Sequence, residues 1–349
     1  MAEFPQSSSM SAPYRPTTSS LGGIPNVNVD IPITAVFLAL FIVGAATHMA
    51  IFQKNKRRGH KFLMSGILFG FCMSRILSCV LRIAWATRPT NISLAIAAQI
   101  FVAAGVVLLF IINIIFAQRI TRAAHPHFGW HRAASIALRV YYGTIVASLF
   151  MLITVVVQSF YTLNPNTKRI DRDIQIYGST YFAVAAFIPI VVVILALIVP
   201  RRTRVEKFGV GRFRTKVVIL LLAATVLTLG AAFRAGTLWL TPRPLNNPAW
   251  YQSKACFYIF DFTVEIIVLY LYAIVRVDTR FHIPNGSKGP GDYTAGKKEG
   301  GMIMSVRSEE EVFDDMPSSR GTDDPDKEES KEDQKLDEEA GLGATPHRP

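Results

Sequence analysis

The chain has 349 residues, of which 50% are hydrophobic and only 18% charged, with a mean hydropathy of +0.31. An average soluble domain carries roughly 25% charged residues, so a soluble enzyme and a nucleic-acid-binding protein both fit poorly. The net charge of +12 is divided: residues 301–349 hold 15 acids and 6 bases, net −9, which leaves the first 300 residues at +21. Three cysteines, Cys72, Cys79 and Cys256, are too few for a disulfide-built secreted fold. Their places in or beside apolar runs predict small buried thiols.

Residues 1–30 are rich in Ser, Pro and Thr and have no basic segment leading into an apolar one. They are expected to form a disordered extracellular N-terminus, with the first span serving as its own signal anchor. At about 1.5 Å of rise per residue, about 20 apolar residues cross a bilayer core. Ile31–Phe52, free of Lys, Arg, Asp and Glu, is the first such run. Phe62–Trp85 follows, interrupted by Arg75 and Arg82, and then Leu94–Phe116, Arg139–Tyr161 and Tyr181–Val199. Val217–Leu240 contains Arg234, and Lys254–Arg276 contains Asp261 and Glu265. The fold class predicted is all-α: a bundle of seven transmembrane helices over residues 31–276, followed by a cytosolic tail over 277–349. From about residue 305 the tail is acidic, poor in aromatics and expected to be disordered.

Lys and Arg in short loops set orientation. The first loop has Lys54, Lys56, Arg57, Arg58 and Lys61; the third has Arg119, Arg122 and Arg132; the fifth has seven, from Arg201 to Lys216. The even loops have Arg88, then Lys168, Arg169 and Arg172, then Arg243 and Lys254. Fifteen against six places the odd loops and the tail in the cytosol and the N-terminus outside. The sequon Asn91-Ile92-Ser93 then falls on the outer side as a glycosylation candidate, while Asn285-Gly286-Ser287 is cytosolic and silent.

Ionisable groups inside the spans are the most informative residues. An Arg or Asp near a helix centre costs roughly 2.5–3.5 kcal/mol on the insertion scale, so such groups face inward and pair. Asp261 and Glu265, at i,i+4, share one face of the last span; Arg75 and Arg82, at i,i+7, share one face of the second. From span midpoints and about 1.5 Å per residue, Glu265 lies at the bilayer centre and Arg75 roughly 2 Å outward. Asp261 lies roughly 6 Å outward, Arg234 roughly 8 Å and Arg82 roughly 13 Å, where its side chain is expected to reach interfacial water. Gln99 and Gln158 fall in the same outer half. Two compatible readings follow. Arg75 and Arg234 neutralise Asp261 and Glu265 and lock the bundle, or the layer is a polar pocket open to the outside, with Arg82 or Arg234 meeting an anionic or polar ligand group. Pro189 favours a kink in span five. Gly230 with Ala231, Ala232, Ala235 and Gly236 predicts close packing of span six.

His125, His127 and His131 cluster in the third loop without Cys or carboxylate, so no metal is expected there. No metalloprotease helix, nucleophile elbow or phosphate loop is present, and neither enzymatic activity nor a cofactor is expected. The last span has no interior lysine for a retinal Schiff base. The expected partners are membrane lipids, a small-molecule or lipid ligand, and a cytosolic signalling partner at the basic loops or acidic tail, where Ser308 and Ser330 stand beside acidic runs. The segment Cys256-Phe-Tyr-Ile-Phe-Asp-Phe-Thr-Val-Glu-Ile-Ile, continuing through Arg276-Val-Asp-Thr-Arg-Phe-His-Ile-Pro-Asn-Gly-Ser287, resembles an uncharacterised fungal seven-span family. That family is a domain of unknown function whose members are sometimes labelled family-C-like G-protein-coupled receptors. The resemblance covers about residues 30–287. The layout is more loosely similar to a fungal lipid-translocating exporter family. Either resemblance implies a fungal membrane protein of unknown ligand. The outer polar layer points to a receptor-like sensor of the plasma membrane or another secretory-route membrane, in which ligand rearranges Arg234 against Asp261 and Glu265, or alternatively to a lipid or amphiphile transporter that uses the layer as a waypoint.

Overall fold

The computed structural model describes residues 12–295, apart from 202 and 204. Seven helices are long and apolar enough to cross a membrane: α1 (Val27–Arg57), α2 (Met64–Thr87), α3 (Ile92–Ala124), α4 (Arg132–Tyr161), α5 (Pro165–Ile198), α6 (Phe213–Trp239) and α7 (Lys254–Ile274). No strand forms among the described residues, where a single isolated bridge joins Thr18 to Pro244. The chain is an integral, multi-pass membrane protein.

Local chemistry sets the helix starts, and these precede several of the apolar runs. Asn26 caps α1 by accepting from the Val29 N–H at 2.9 Å, while the Asp30 carboxylate accepts from the Asn26 N–H at 2.8 Å. Asn91 caps α3 through the Leu94 N–H, and Ser253 caps α7 through that of Cys256. The largest correction concerns span five. Its helix begins at Pro165, capped by Asn164 and primed by proline at its first position, rather than at Tyr181. Lys168, Arg169, Asp171 and Arg172 therefore stand on rigid helix rather than on a loop. Pro189 lies inside α5, whose helix runs on to Ile198.

Helix α1 packs against α2 and α7, α2 against α3, and α6 against α5 and α7. Helix α3 touches α2, α4, α5 and α6, and more than half of its most apolar stretch is buried, whereas α4 is the least embedded. In α7 the helix widens into a π-turn over Tyr258–Thr263, one residue looser than α geometry. Cys72 and Cys79 are fully buried, but Cys256, in the first turn of α7, is only part-buried: Phe257 beside it is the residue of that turn that faces the core.

The bundle's two ends are finished differently. At one end, here the strap end, residues 12–26 cross over the helices. The Tyr14 N–H donates to the Phe160 carbonyl at 2.7 Å, Ser19 to Arg243 at 2.8 Å and Gly22 to Gln252 at 3.0 Å. At the other, the tail end, the packed body runs on past α7. Arg276 adopts a left-handed φ of +51°, and the chain turns into a short helix, Val277–Arg280. Phe281 then stacks on Phe116 at 4.2 Å, and Phe208 connects Phe281 to Tyr293 at 5.6 Å. Burial alone would raise the Asp278 carboxyl, but Arg276 and Asn55, each donating at 2.9 Å, hold it below the usual carboxylate range. Asn285 of the second sequon donates to the Gly59 carbonyl and accepts from the Lys61 N–H. The acidic segment, with Ser308 and Ser330, lies outside the described residues.

Candidate functional site

Two charge clusters occupy the strap half of the bundle. In the first, the Arg75 guanidinium of α2 grips both carboxylate oxygens of Glu265 of α7, and neither side chain has any exposed surface. Arg75 spends its remaining donor capacity on α3, donating to the Val102 carbonyl at 2.8 Å and that of Phe101 at 3.3 Å. Gly105 of α3 leaves the room for this, since a Cβ there would lie 3.2 Å from the guanidinium carbon. Arg234 of α6 donates to Asp261 at 2.9 Å and stands 3.8 Å from Glu265. The four side chains thus form a chain Arg75–Glu265–Arg234–Asp261 joining α2, α6 and α7. The close approach of α6 to α7 has a specific cause: Gly230 faces the Phe260 carbonyl, where a Cβ would come within 2.7 Å. Phe233 stacks on Phe260 at 3.8 Å beside that contact.

The second cluster corrects the expectation for Arg82. Its side chain is 5% exposed and does not reach interfacial water. It pairs with Asp30 of α1 at 2.6 Å, donates to the Gly22 carbonyl of the strap at 3.2 Å and lies 4.0 Å over the Phe257 ring. Asp30 also holds Lys254 and accepts from the Tyr258 hydroxyl at 2.9 Å, and Thr34 meets that hydroxyl at 2.8 Å. Sequence reasoning passed over Asp30 because it sits one residue ahead of the first charge-free run. The available signal was an acid in a first helical turn beside an apolar stretch, with no reason to be there unless paired. Gln158 requires a second correction. It points out of α4 and is exposed, because α4 turns only one narrow face toward its neighbours.

Above the first cluster lies a cavity of about 670 Å³. Its floor is the Arg234–Asp261 pair, and its walls include Val102 and Val106 of α3, Leu152 and Val156 of α4, and Phe182 of α5. Gln99 lines it, and strap residues from Tyr14 to Leu21 roof it. Among the predicted residues, Arg82, Arg234, Asp261 and Gln99 face this space, whereas Arg75 and Glu265 lie behind its floor. Four further cations line it that charge counting places only in solvent-facing segments: Arg15 on the strap and Lys168, Arg169 and Arg172 on the extended start of α5.

Asn91 is exposed at the cap of α3. His125 bonds the Ala196 carbonyl at 2.8 Å, and His131 accepts from the Ala133 N–H at 3.2 Å. Among the described residues, no group of three or more His, Cys, Asp or Glu stands close enough to hold a metal ion.

A family described as a protein of unknown function (DUF3112) matches residues 211–282. No curated protein and no solved structure matches the chain. The matched segment contains α6 and α7, and with them Arg234, Asp261 and Glu265, so the chain is similar to that family in the two helices that supply the floor of the cavity.

Proposed function

We propose that the protein is a receptor-like sensor, with its strap end outside the cell and its tail end in the cytosol, which binds ligand in the strap-end cavity. One observation carries this reading: the cavity ends on Arg234 and Asp261, and Arg234 is also within ion-pair distance of Glu265, the partner of Arg75. A ligand group that draws Arg234 toward itself weakens its hold on Glu265 and shifts α6 against α2 and α7. A ligand acts in this way only when it binds one arrangement better than the other. Intramembrane charges are functional candidates by default. Beyond this layer the bundle is filled by residues with no exposed surface, such as Leu109, Phe110 and Phe116, with Tyr272 almost as deeply buried. That filling favours a signal over a passage.

The same cavity is proposed to bind its ligand without transforming it. Its lining includes no His or Cys, and its carboxylate, Asp261, is held by Arg234. The excess of Lys and Arg on the tail-end loops supports the orientation and offers a cytosolic partner its charge. The plasma membrane is the proposed location.

Two measurements on the full chain in liposomes test this. Spin labels at Lys56 and Val210, both exposed on tail-end segments, report whether amphiphiles added at the strap end move that face. A fluorescent-lipid assay reports transbilayer flux. A changed label distance with flux no higher than in empty liposomes is the expected result. Flux above that baseline without a distance change replaces the sensor by a lipid exporter.

A further inference from the structure

The cavity carries a charge imbalance that the bundle's own packing does not use. Six cationic side chains line it, namely Arg15, Arg82, Lys168, Arg169, Arg172 and Arg234, against one carboxylate, Asp261. Arg234 has Asp261, and Arg82 has Asp30 behind the wall. Arg172 donates to the Leu238 and Leu240 carbonyls at 3.2 and 2.8 Å, and Arg169 to Asn166 at 3.2 Å. Arg15 and Lys168 make no side-chain hydrogen bond or ion pair with any other described residue. None of Arg15, Lys168, Arg169 or Arg172 has a carboxylate partner among the described residues.

Charge and apolar surface are separated along the cavity. The unmatched cations stand at its mouth, on the strap and the first turns of α5, while Val102, Val106, Leu152, Val156 and Phe182 line the interior. Along α5, Lys168 and Phe182 are about 21 Å apart at 1.5 Å per residue. A concave site with low-dielectric walls and cations of one sign concentrates anions, and its apolar wall rewards a hydrocarbon surface. A cationic ligand meets repulsion at the mouth. A small anion leaves the wall uncovered, and a neutral apolar molecule leaves the cations unmatched. The volume, about 670 Å³, falls in the range of sites for drug-sized ligands.

We propose that the cavity takes an anionic amphiphile, with a phosphate or carboxylate head held between Arg15, Lys168 and Arg169 and a hydrocarbon tail laid along the α3–α4–α5 wall. This rests on the reading of the cavity as a ligand site and names the class of ligand. Arg15 comes from the strap, so the head site is complete only when the strap lies across the bundle.

The test measures binding to the full chain in phosphatidylcholine nanodiscs, using oleoyl lysophosphatidate, oleoyl lysophosphatidylcholine and inorganic phosphate. Lysophosphatidate is expected to bind at least tenfold tighter than its choline counterpart, and phosphate alone at least a hundredfold more weakly. Each methylene removed from the lysophosphatidate tail is expected to weaken binding about fourfold while the tail remains buried. Lys168→Gln with Arg169→Gln is expected to weaken lysophosphatidate binding tenfold or more. The unliganded protein should keep its thermal unfolding temperature, because Arg169 is exposed and Lys168 part-exposed. Equal binding of the choline lipid, competition by phosphate alone at the lipid's concentration, or an unchanged affinity in the double variant overturns the proposal. Lysophosphatidate binding without movement between labels at Lys56 and Val210 removes the sensor and leaves the ligand class standing. Movement driven only by the zwitterionic lipid does the reverse.

Discussion

At the strap end, Arg75, Arg82 and Arg234 each meet a carboxylate from another helix. At the tail end Arg119, 7% exposed, meets none among the described residues: it donates to the Phe281 carbonyl and lies 5.5 Å over the Phe62 ring. Lys216 is buried nearby and donates to the Phe208 and Gly211 carbonyls at 2.7 and 2.9 Å. Both arrangements keep a cation out of lipid, with different consequences for packing. The Arg234–Asp261 pair forms the floor of the cavity, and Arg82 lines it. At the tail end the Phe281 carbonyl and the Phe62 ring face receive Arg119 inside an aromatic stack. The strap end thus sets its ion pairs beside open space, and the tail end sets Arg119 among packed rings.

The largest expected effects break each end at its centre. Glu265→Ala leaves the Arg75 charge buried without its partner, and thermal unfolding in detergent should show a loss of about 3–5 kcal/mol. Arg75→Met combined with Glu265→Met should recover most of it, because an apolar pair carries no desolvation penalty. Phe281→Ala, at a fully buried ring, should also cost about 3–5 kcal/mol, and Phe281→Leu far less. If Glu265→Ala proves neutral, the charge chain does not hold the strap end together and the contrast fails.

Asp30→Asn should cost about 1.5–3 kcal/mol by weakening its bonds to Arg82, Lys254 and Tyr258. It should also raise amide exchange in the strap around Gly22, which Arg82 contacts. Two glycines of α6 sharpen the comparison further. Gly230→Ala drives a methyl group into the Phe260 carbonyl and should cost about 1–3 kcal/mol, read as a lower unfolding temperature. Gly236→Ala meets nothing within 4 Å and should stabilise by about 0.5–1 kcal/mol.

The smallest effect is a pH dependence confined to the tail end. Burial lowers His282 below the ordinary histidine value of 6.5, and the charges of His60 and Arg119 add to that against the opposing pull of Asp278. The unfolded chain takes up this proton first as pH falls. The stabilising contribution is therefore complete above about pH 6.5 and is lost as pH drops through the lower folded value. Amide exchange over residues 277–293, corrected for its intrinsic pH dependence, should rise between pH 7.5 and 5.5. Asn in place of His282 should remove that rise. Asp278, held low, adds its own loss only in more acidic solution, below its ordinary 3.8.

The number of spans and their approximate places are local properties, read from runs long enough to cross hydrocarbon. So is the need to hide Arg75, Arg234, Asp261 and Glu265, because insertion energy depends on the residue and its depth. The partners are not local. Asp30 and Arg82 are 52 residues apart and Arg75 and Glu265 are 190 apart, and each pair is joined only by which helices touch. The cavity was less legible still. It depends on a strap that hydropathy assigns to solvent and on an α5 that starts at a proline well before its apolar run. Gln158 shows the limit from the other side: depth alone does not decide which face of a helix a residue occupies.

Composition and apolar run length by themselves determined that this is a seven-helix membrane protein with charges it must conceal, because transfer into lipid is settled residue by residue. Tertiary structure alone decided that Arg82 belongs to Asp30, that the strap roofs a cavity and that the cavity's mouth holds more positive charge than the fold neutralises. Those outcomes depend on which surfaces meet, and packing settles that among all the helices at once.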